Sequence, residues 1–308
     1  MYQQPFRTEE LQAELERALG FKLGPLVRIG GGGAINFKAE RVSDGLQFVV
    51  KCFPPDRRES GERLLETLKT MEGVKTPVRL FTEALPAVLL DHLVFCLFWQ
   101  EGEVIAPDRL TDEQWDAFLD DYQRLSERMQ QVKTMDSVPC ISDLWTAARA
   151  ACTGLAGFFL RPVLDRMRER ELDYRPKLLR TVHGDFHCGN LLFSGGTLCC
   201  FMDLESFRKG YAPEDLCTLL LIVARKLKRS ERGRLPRIVS LFGRAVRRLP
   251  FSAYEWRAAM DALYLKRYYR KTGGYRRIGV LMALRMVARA KLGDLFLRQV
   301  DAAAGGEV

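Results

Sequence analysis

Histidine is scarce in this sequence, three in 308 residues, and none of the eight cysteines forms a C-x-x-C pair. That spacing, in a chain this long, excludes a small disulfide-stapled domain and leaves the thiols as buried small hydrophobes. There is no G-x-x-x-x-G-K-[ST] segment, so a P-loop nucleotide site is excluded as well. No apolar run approaches the roughly 20 residues of a membrane span. The two most apolar stretches are broken by Asp91 and by Arg285 and Arg289. The opening MYQQPFRTEELQAELERALG has acids and no apolar core, unlike a secretory signal, and the expected location is cytoplasmic. Acids are rare in one region: Arg225 to Arg248 holds ten Lys or Arg against Glu231, and Lys266 to Arg277 adds six with no acid. Such a bias suits anionic partners, although a solvated helix face is the commoner cause.

What is present is the composition of a globular protein, 47% hydrophobic and 28% charged, long enough for two lobes. Leu11, Leu15 and Leu19 recur at helical spacing before Gly20, which predicts a helix over Thr8 to Leu19. Strand signals follow: PLVRI, the run Gly30 to Gly33, INFKAER, a turn at Ser43 to Gly45, and LQFVVKCF. A helix is expected from about Arg57 to Met71, then strands at PVRLF and HLVFCLFW. Beyond residue 100 helices dominate, the first capped by Thr111 with Gln114 and carrying an apolar stripe from Trp115 to Met129. A helical stretch around Ser142 to Leu172 follows. Helices at Glu214 to Lys228, Leu235 to Leu249, Ala253 to Lys271 and Ile278 to Val300 end the chain. Between these two groups lies HGDFHCGNLLF, with NLLF and LCCFMD as strands about a Ser194-Gly195-Gly196 turn. The expectation is an α+β chain of two lobes, a small β-rich lobe over 1–100 and a helical lobe over 101–308, with the ligand cleft between them.

Four features occur in an informative order: a glycine loop, Lys51 on the following strand, Asp185 with Asn190 on a loop, and Asp203 after a hairpin. Phosphoryl transfer from a nucleotide uses such parts, because its catalysis is mostly positioning and neutralisation of phosphate charge. Backbone N–H groups of a glycine loop reach phosphates unobstructed, and Lys51 adds a cation. Asn190 and Asp203 supply the hard oxygens magnesium prefers, while Asp185 receives the proton of the attacking hydroxyl. A zinc site on His183 and His187 is disfavoured, since Gly184 stands where a zincin has Glu and weakens the helix such a site needs.

These residues resemble the aminoglycoside phosphotransferase and choline kinase-like kinases. The family's G-G-x-x-N loop is matched by Gly32, Gly33 and Asn36, and its H-G-D-x-H-x-x-N loop by His183, Gly184, Asp185, His187 and Asn190. Its metal motif is matched by Asp203-Leu204-Glu205, with Gly210, Pro213, Asp215 and Leu216 beyond, the Gly-to-Pro spacing being one residue longer than usual. The match runs in order from about Leu26 to Val223. The resemblance implies a two-lobed protein-kinase-like fold and an ATP- and Mg²⁺-dependent kinase acting on a hydroxyl. It also implies Glu62 as the partner of Lys51, with Glu59 and Glu66 nearby, and a Phe98 to Gly102 hinge, including Trp99 and Glu101, against the adenine. His183, His187, Glu205 and Asp215 are supporting residues in this reading, with the two histidines and Asp215 shaping the loop. The basic C-terminal region favours an anionic small-molecule or glycan acceptor, such as a cell-envelope saccharide, or an anionic membrane surface. No nucleic acid is expected. The alternatives are an aminoglycoside or amino-alcohol kinase, and a catalytically weak nucleotide-binding relative that acts through its basic helices.

Overall fold

A computed structural model describes residues 6–29, 34–71, 85–132, 134, 141–171, 179–271, 278 and 280–304. The chain divides into two compact units, one of residues Met1–Val104 with Leu191–Glu205 and one of Ile105–Asn190 with Ser206–Val308.

The first unit begins with helix α1 (Thr8–Leu19), whose Leu11 and Leu15 are buried and whose end is set by Gly20 in the left-handed region. Its sheet consists of β1 (Val27–Arg28), β2 (Ile35–Glu40), β3 (Gln47–Phe53), β4 (Ala87–Leu89) and β5 (His92–Phe98), antiparallel in the order β1-β2-β3-β5-β4. Helix α2 (Arg58–Thr70) packs Leu64 and Leu68 inward. The alternation in INFKAE buries Ile35, Phe37 and Ala39, and with Phe48, Phe53 and Phe95 they form this unit's core. The strand expected at PVRLF lies outside the described residues.

Three stretches of strand follow in the middle of the chain, and they divide between the units. Strand β6 (Leu179–Val182) belongs to the second unit. The hairpin of β7 (Leu191–Ser194) and β8 (Thr197–Phe201) returns to the first, where the backbones of Glu103 and Phe193 pair. Strand β9 (Arg208–Tyr211) lies in the second unit again and pairs antiparallel with β6 as a two-stranded ribbon. The RKGY segment of β9 carries no apolar alternation, so nothing local predicts this pairing.

The second unit also contains α3 (Asp112–Met129), α4 (Ile141–Ala151), α5 (Gly154–Glu171), α6 (Glu214–Lys226), α7 (Leu235–Arg248), α8 (Ala253–Lys271) and α9 (Val280–Ala304). The box at the start of α3 forms as expected: Gln114 N donates to Thr111 Oγ1 at 3.2 Å and Thr111 N to Gln114 Oε1 at 2.9 Å. Two buried polar tips tie α3 to its surroundings, Trp115 Nε1 donating to Leu241 O and Tyr122 Oη to Ala212 O. Among the described residues no helix is long and apolar enough to cross a membrane.

Candidate active site

In the first unit, Asn36 on β2 stands directly opposite Lys51 on β3, so both side chains project from one face of the sheet. Lys51 is 6% exposed, and its ammonium donates to Glu205 Oε1 at 2.8 Å with Asp203 Oδ1 at 3.6 Å. The partner expected for it, Glu62, is exposed on α2, as are Glu59 and Glu66. The correction has a structural reason: the β7–β8 hairpin belongs to the same unit as β3 and delivers the DLE acids to Lys51, satisfying a nearly buried cation. Two oxygens on this face are buried without a hydrogen bond, Asn36 Oδ1 and Glu205 Oε2. Asp203 is held at φ 55°, a left-handed conformation unusual outside glycine, and its carboxylate is half exposed. Gly32 and Gly33 lie outside the described residues. Trp99 and Glu101 engage one another, Trp99 Nε1 donating to Glu101 Oε1 at 2.7 Å, and the Lys38 ammonium lies 4.2 Å from the Trp99 ring centre.

In the second unit, the HGD loop leaves β6 and is tied down from several sides. Asp215 at the start of α6 accepts the His183 N–H at 2.8 Å and the Gly184 N–H at 3.1 Å, one on each carboxylate oxygen. Burial pushes the Asp215 carboxyl above its ordinary value of 3.8, against the pull of His183 and these two N–H groups. Gly184 adopts φ 83°, and a Cβ there would collide with the Ser206 carbonyl, so only glycine fits. Phe186 is fully buried and meets Tyr122, Phe118 and His183 edge-on or tilted. That anchor fixes its neighbour Asp185, whose side chain remains 58% exposed. Asn190 is buried and donates through Nδ2 to the Asp185 carbonyl at 2.9 Å, which leaves its Oδ1 as the free end of the amide. His187 Nε2 lies 3.6 Å from Asp185 Oδ2, beyond hydrogen-bond length.

A loop of this construction holds one carboxylate out on a rigid base, and the sequence profile gives it a chemistry. The phosphotransferase enzyme family, APH, matches residues 27–250. The chain belongs to that family. Solved structures agree on the fold of this phosphotransferase. An aminoglycoside phosphotransferase from Alicyclobacillus acidocaldarius aligns with a TM-score of 0.63 at 16% identity, over 98% of this chain and 97% of that one. Spectinomycin phosphotransferase, solved with ADP and spectinomycin, gives 0.59 at 14% identity, over 96% of this chain and 100% of that one. The ADP-bound phosphotransferase APH(2'')-Ib gives 0.53 at 17% identity, over 94% and 99%. The fold is therefore the expected α+β, two-lobed, protein-kinase-like one. No curated protein matches the sequence.

Within the second unit, Asp185 of this phosphotransferase opens onto a cavity of about 340 Å³ walled by α6, α8 and α9. Behind the loop sits Glu214, fully buried, accepting from Arg208 at 2.5 Å and from Lys266 at 3.1 Å. Burial alone would raise the Glu214 carboxyl; the two cations outweigh it and hold it below 4.5. Neither Arg208, Glu214 nor Lys266 carried a signal in the sequence, since their grouping depends on β9 reaching α6 and α8. The basic run also changes meaning. Arg237 pairs with Asp112, Arg244 with Asp112 and Asp116, and Arg248 with Asp120 at 2.8 Å. These arginines share one face of α7 and meet aspartates spaced one turn apart on α3, so much of the α7 charge is neutralised by a neighbouring helix. Arg234 likewise pairs with Asp108 and Glu231.

Proposed function

We propose that this phosphotransferase moves the γ-phosphate of ATP to a hydroxyl of a small molecule or glycan, with Asp185 as the base. The observation that carries the reading is the placement of Asp185: exposed, fixed by the buried Phe186 and by Asn190, and lining a cavity walled by α6, α8 and α9. An acceptor seated there presents its hydroxyl to the carboxylate. The acceptor oxygen forms a bond to the γ-phosphorus, the bond to the β,γ-bridging oxygen breaks, ADP departs, and Asp185 takes the hydroxyl proton. Lys51 neutralises phosphate charge on the Asn36 face of the sheet. Asp203 and Asn190 offer a half-exposed carboxylate and a free amide oxygen, the hard donors magnesium takes, and Glu205 has a buried unpartnered oxygen two residues beyond Asp203. Magnesium, when bound, would neutralise charge on the transferring phosphate. Nucleotide contacts at Gly32, Gly33, Trp99 and Glu101 are part of the same proposal.

The acceptor's charge has to be read from the cavity rather than from the basic helices. The α3 carboxylates remove the observation that favoured a membrane-docking or scaffold role for α7. A cell-envelope saccharide bearing acid groups stays within the proposed class. The test is a transfer screen of saccharides, amino alcohols, hydroxy acids and aminoglycosides with radiolabelled ATP and GTP. Asp185→Ala is expected to abolish transfer while retaining nucleotide binding, whereas Asp203→Ala also weakens binding of the Mg-nucleotide. Wild-type turnover in Asp185→Ala refutes the base assignment.

A further inference from the structure

The cavity beside Asp185 has apolar walls, among them Leu221, Ile222, Leu263 and Leu297, interrupted by charged groups that can be accounted for in turn. Arg208 and Lys266 are consumed by Glu214. Asp261, which is buried, and Arg289 are each already engaged by neighbouring groups. Besides Asp185 itself, two groups then remain, Arg225 on α6 and Asp294 on α9, both half-buried. Among the described residues neither forms an ion pair, with the other or with any third group. A half-buried charge against an apolar wall ordinarily finds a partner, and here two of opposite sign face one cavity and leave each other alone.

We propose that the acceptor is a hydroxylated zwitterion, an amino acid or amino-sugar acid in chemical class, with its acidic group on Arg225 and its ammonium on Asp294. An apolar stem bridges the two charges along the leucine walls, and the hydroxyl reaches Asp185. The volume of about 340 Å³ suits a compact molecule of this kind. A polycation would meet Arg225, and a polyanion would meet Asp294, each against a charge of its own sign. This assignment rests on the phosphotransfer reading above and specifies its acceptor.

The experiment uses four compounds on one aliphatic skeleton: a hydroxy amino acid, the matching hydroxy acid, the matching amino alcohol and the matching diol. Transfer from radiolabelled ATP is measured alongside calorimetric binding, so that the site is read with or without turnover. The amino acid is expected to exceed each of the others in kcat/KM and in affinity by about tenfold or more, the scale of a charge-assisted hydrogen bond. Reversing one charge should redirect the preference: Arg225→Glu toward the amino alcohol and Asp294→Arg toward the hydroxy acid. A simple packing defect would weaken all four compounds together and would not exchange their order. Equal use of the amino alcohol and the amino acid by the wild type overturns the assignment, as does absence of binding heat with the amino acid. If transfer proceeds but favours another charge class, only the zwitterion falls. If none of the four is phosphorylated while a saccharide or aminoglycoside of the wider screen is, again only the zwitterion falls; if no acceptor of either set raises ADP release above that of Asp185→Ala, the phosphotransfer reading falls with it.

Discussion

Replacing Glu205 by Gln tests which acid supports Lys51. The Lys51 and Glu205 side chains are 7% and 19% exposed, and their charges meet at 2.8 Å. Removing one member of a buried pair costs about 3–5 kcal/mol where the remaining charge is left alone. Lys51 would not be alone, because Asp203 stays within 3.6 Å, and the substituted amide could still accept a hydrogen bond. The expected loss is therefore about 2 kcal/mol, a midpoint shift of roughly 1 M urea for a typical slope. The two units need not unfold together, so the probe must belong to the first one. Trp99 is the one tryptophan of that unit, the others being Trp115, Trp145 and Trp256. Incorporation of 5-fluorotryptophan gives Trp99 its own resonance, assigned by its loss in Trp99→Phe, and its urea titration reports the unit directly. Glu62→Gln should leave that midpoint nearly unmoved. A double-mutant cycle between Lys51→Met and Glu205→Gln should show coupling of about 1–2 kcal/mol. Equal or greater loss in Glu62→Gln, or a cycle without coupling, refutes the pairing and restores the helix glutamate as the partner.

Gly184→Ala should destroy transfer and lower stability by several kcal/mol, about 2–4 from collision and left-handed strain together, measured by calorimetry and ATP turnover. The folded Glu214 carboxyl binds its proton less readily than an unfolded one, so its contribution is complete above the ordinary value of 4.5 and is lost as pH falls through the lower folded value. Asp215 runs oppositely: its raised value gives a contribution present below 3.8 and lost as pH rises through the folded value. The acid limb of the urea midpoints should thus be shallower in Glu214→Gln than in the wild type, and an unchanged limb contradicts the ion cluster. Replacing Arg237, Arg244 and Arg248 together by Gln should lower the melting temperature at low ionic strength, and about 1 M salt, with a screening length of ~3 Å, should erase the difference. A deficit that persists undiminished in salt would mean the α3–α7 contact is held by packing alone.

Much of the architecture was legible where a local signal sufficed. Helix α1 follows from three leucines and a glycine stop, and α8 from its unbroken spacing, with both ends as anticipated. The shape of the Asp185 loop was legible for a related reason: Asp185 and Asn190 lie within six residues, and the loop closes on itself through the Asn190 to Asp185 hydrogen bond. What escaped depends on partners far along the chain. β9 exists because β6 offers it a backbone to pair with, not because RKGY favours a strand. The Lys51 partner lies 154 residues away, whereas the family resemblance implied Glu62. The basic run misled because charge along a segment says nothing of what faces it; the aspartates of α3 that answer it are more than 120 residues upstream.

The backbone pairing of Glu103 with Phe193 sets an order of events during synthesis. The chain passes between its two units three times, after Val104, after Asn190 and after Glu205. A nascent chain ending at Val104 holds the five strands of the sheet but not the hairpin that receives Lys51 and pairs with Glu103. Vectorial folding, in which an N-terminal segment settles before the rest emerges, is closed to this unit. Its completion waits on the synthesis of the intervening helices and on closing a loop of 154 residues, an entropic cost that grows slowly with length but delays the step until the hairpin emerges. Until then the ammonium of Lys51 is a solvated charge on an unfinished sheet, and the first unit is completed only after the second has begun to form.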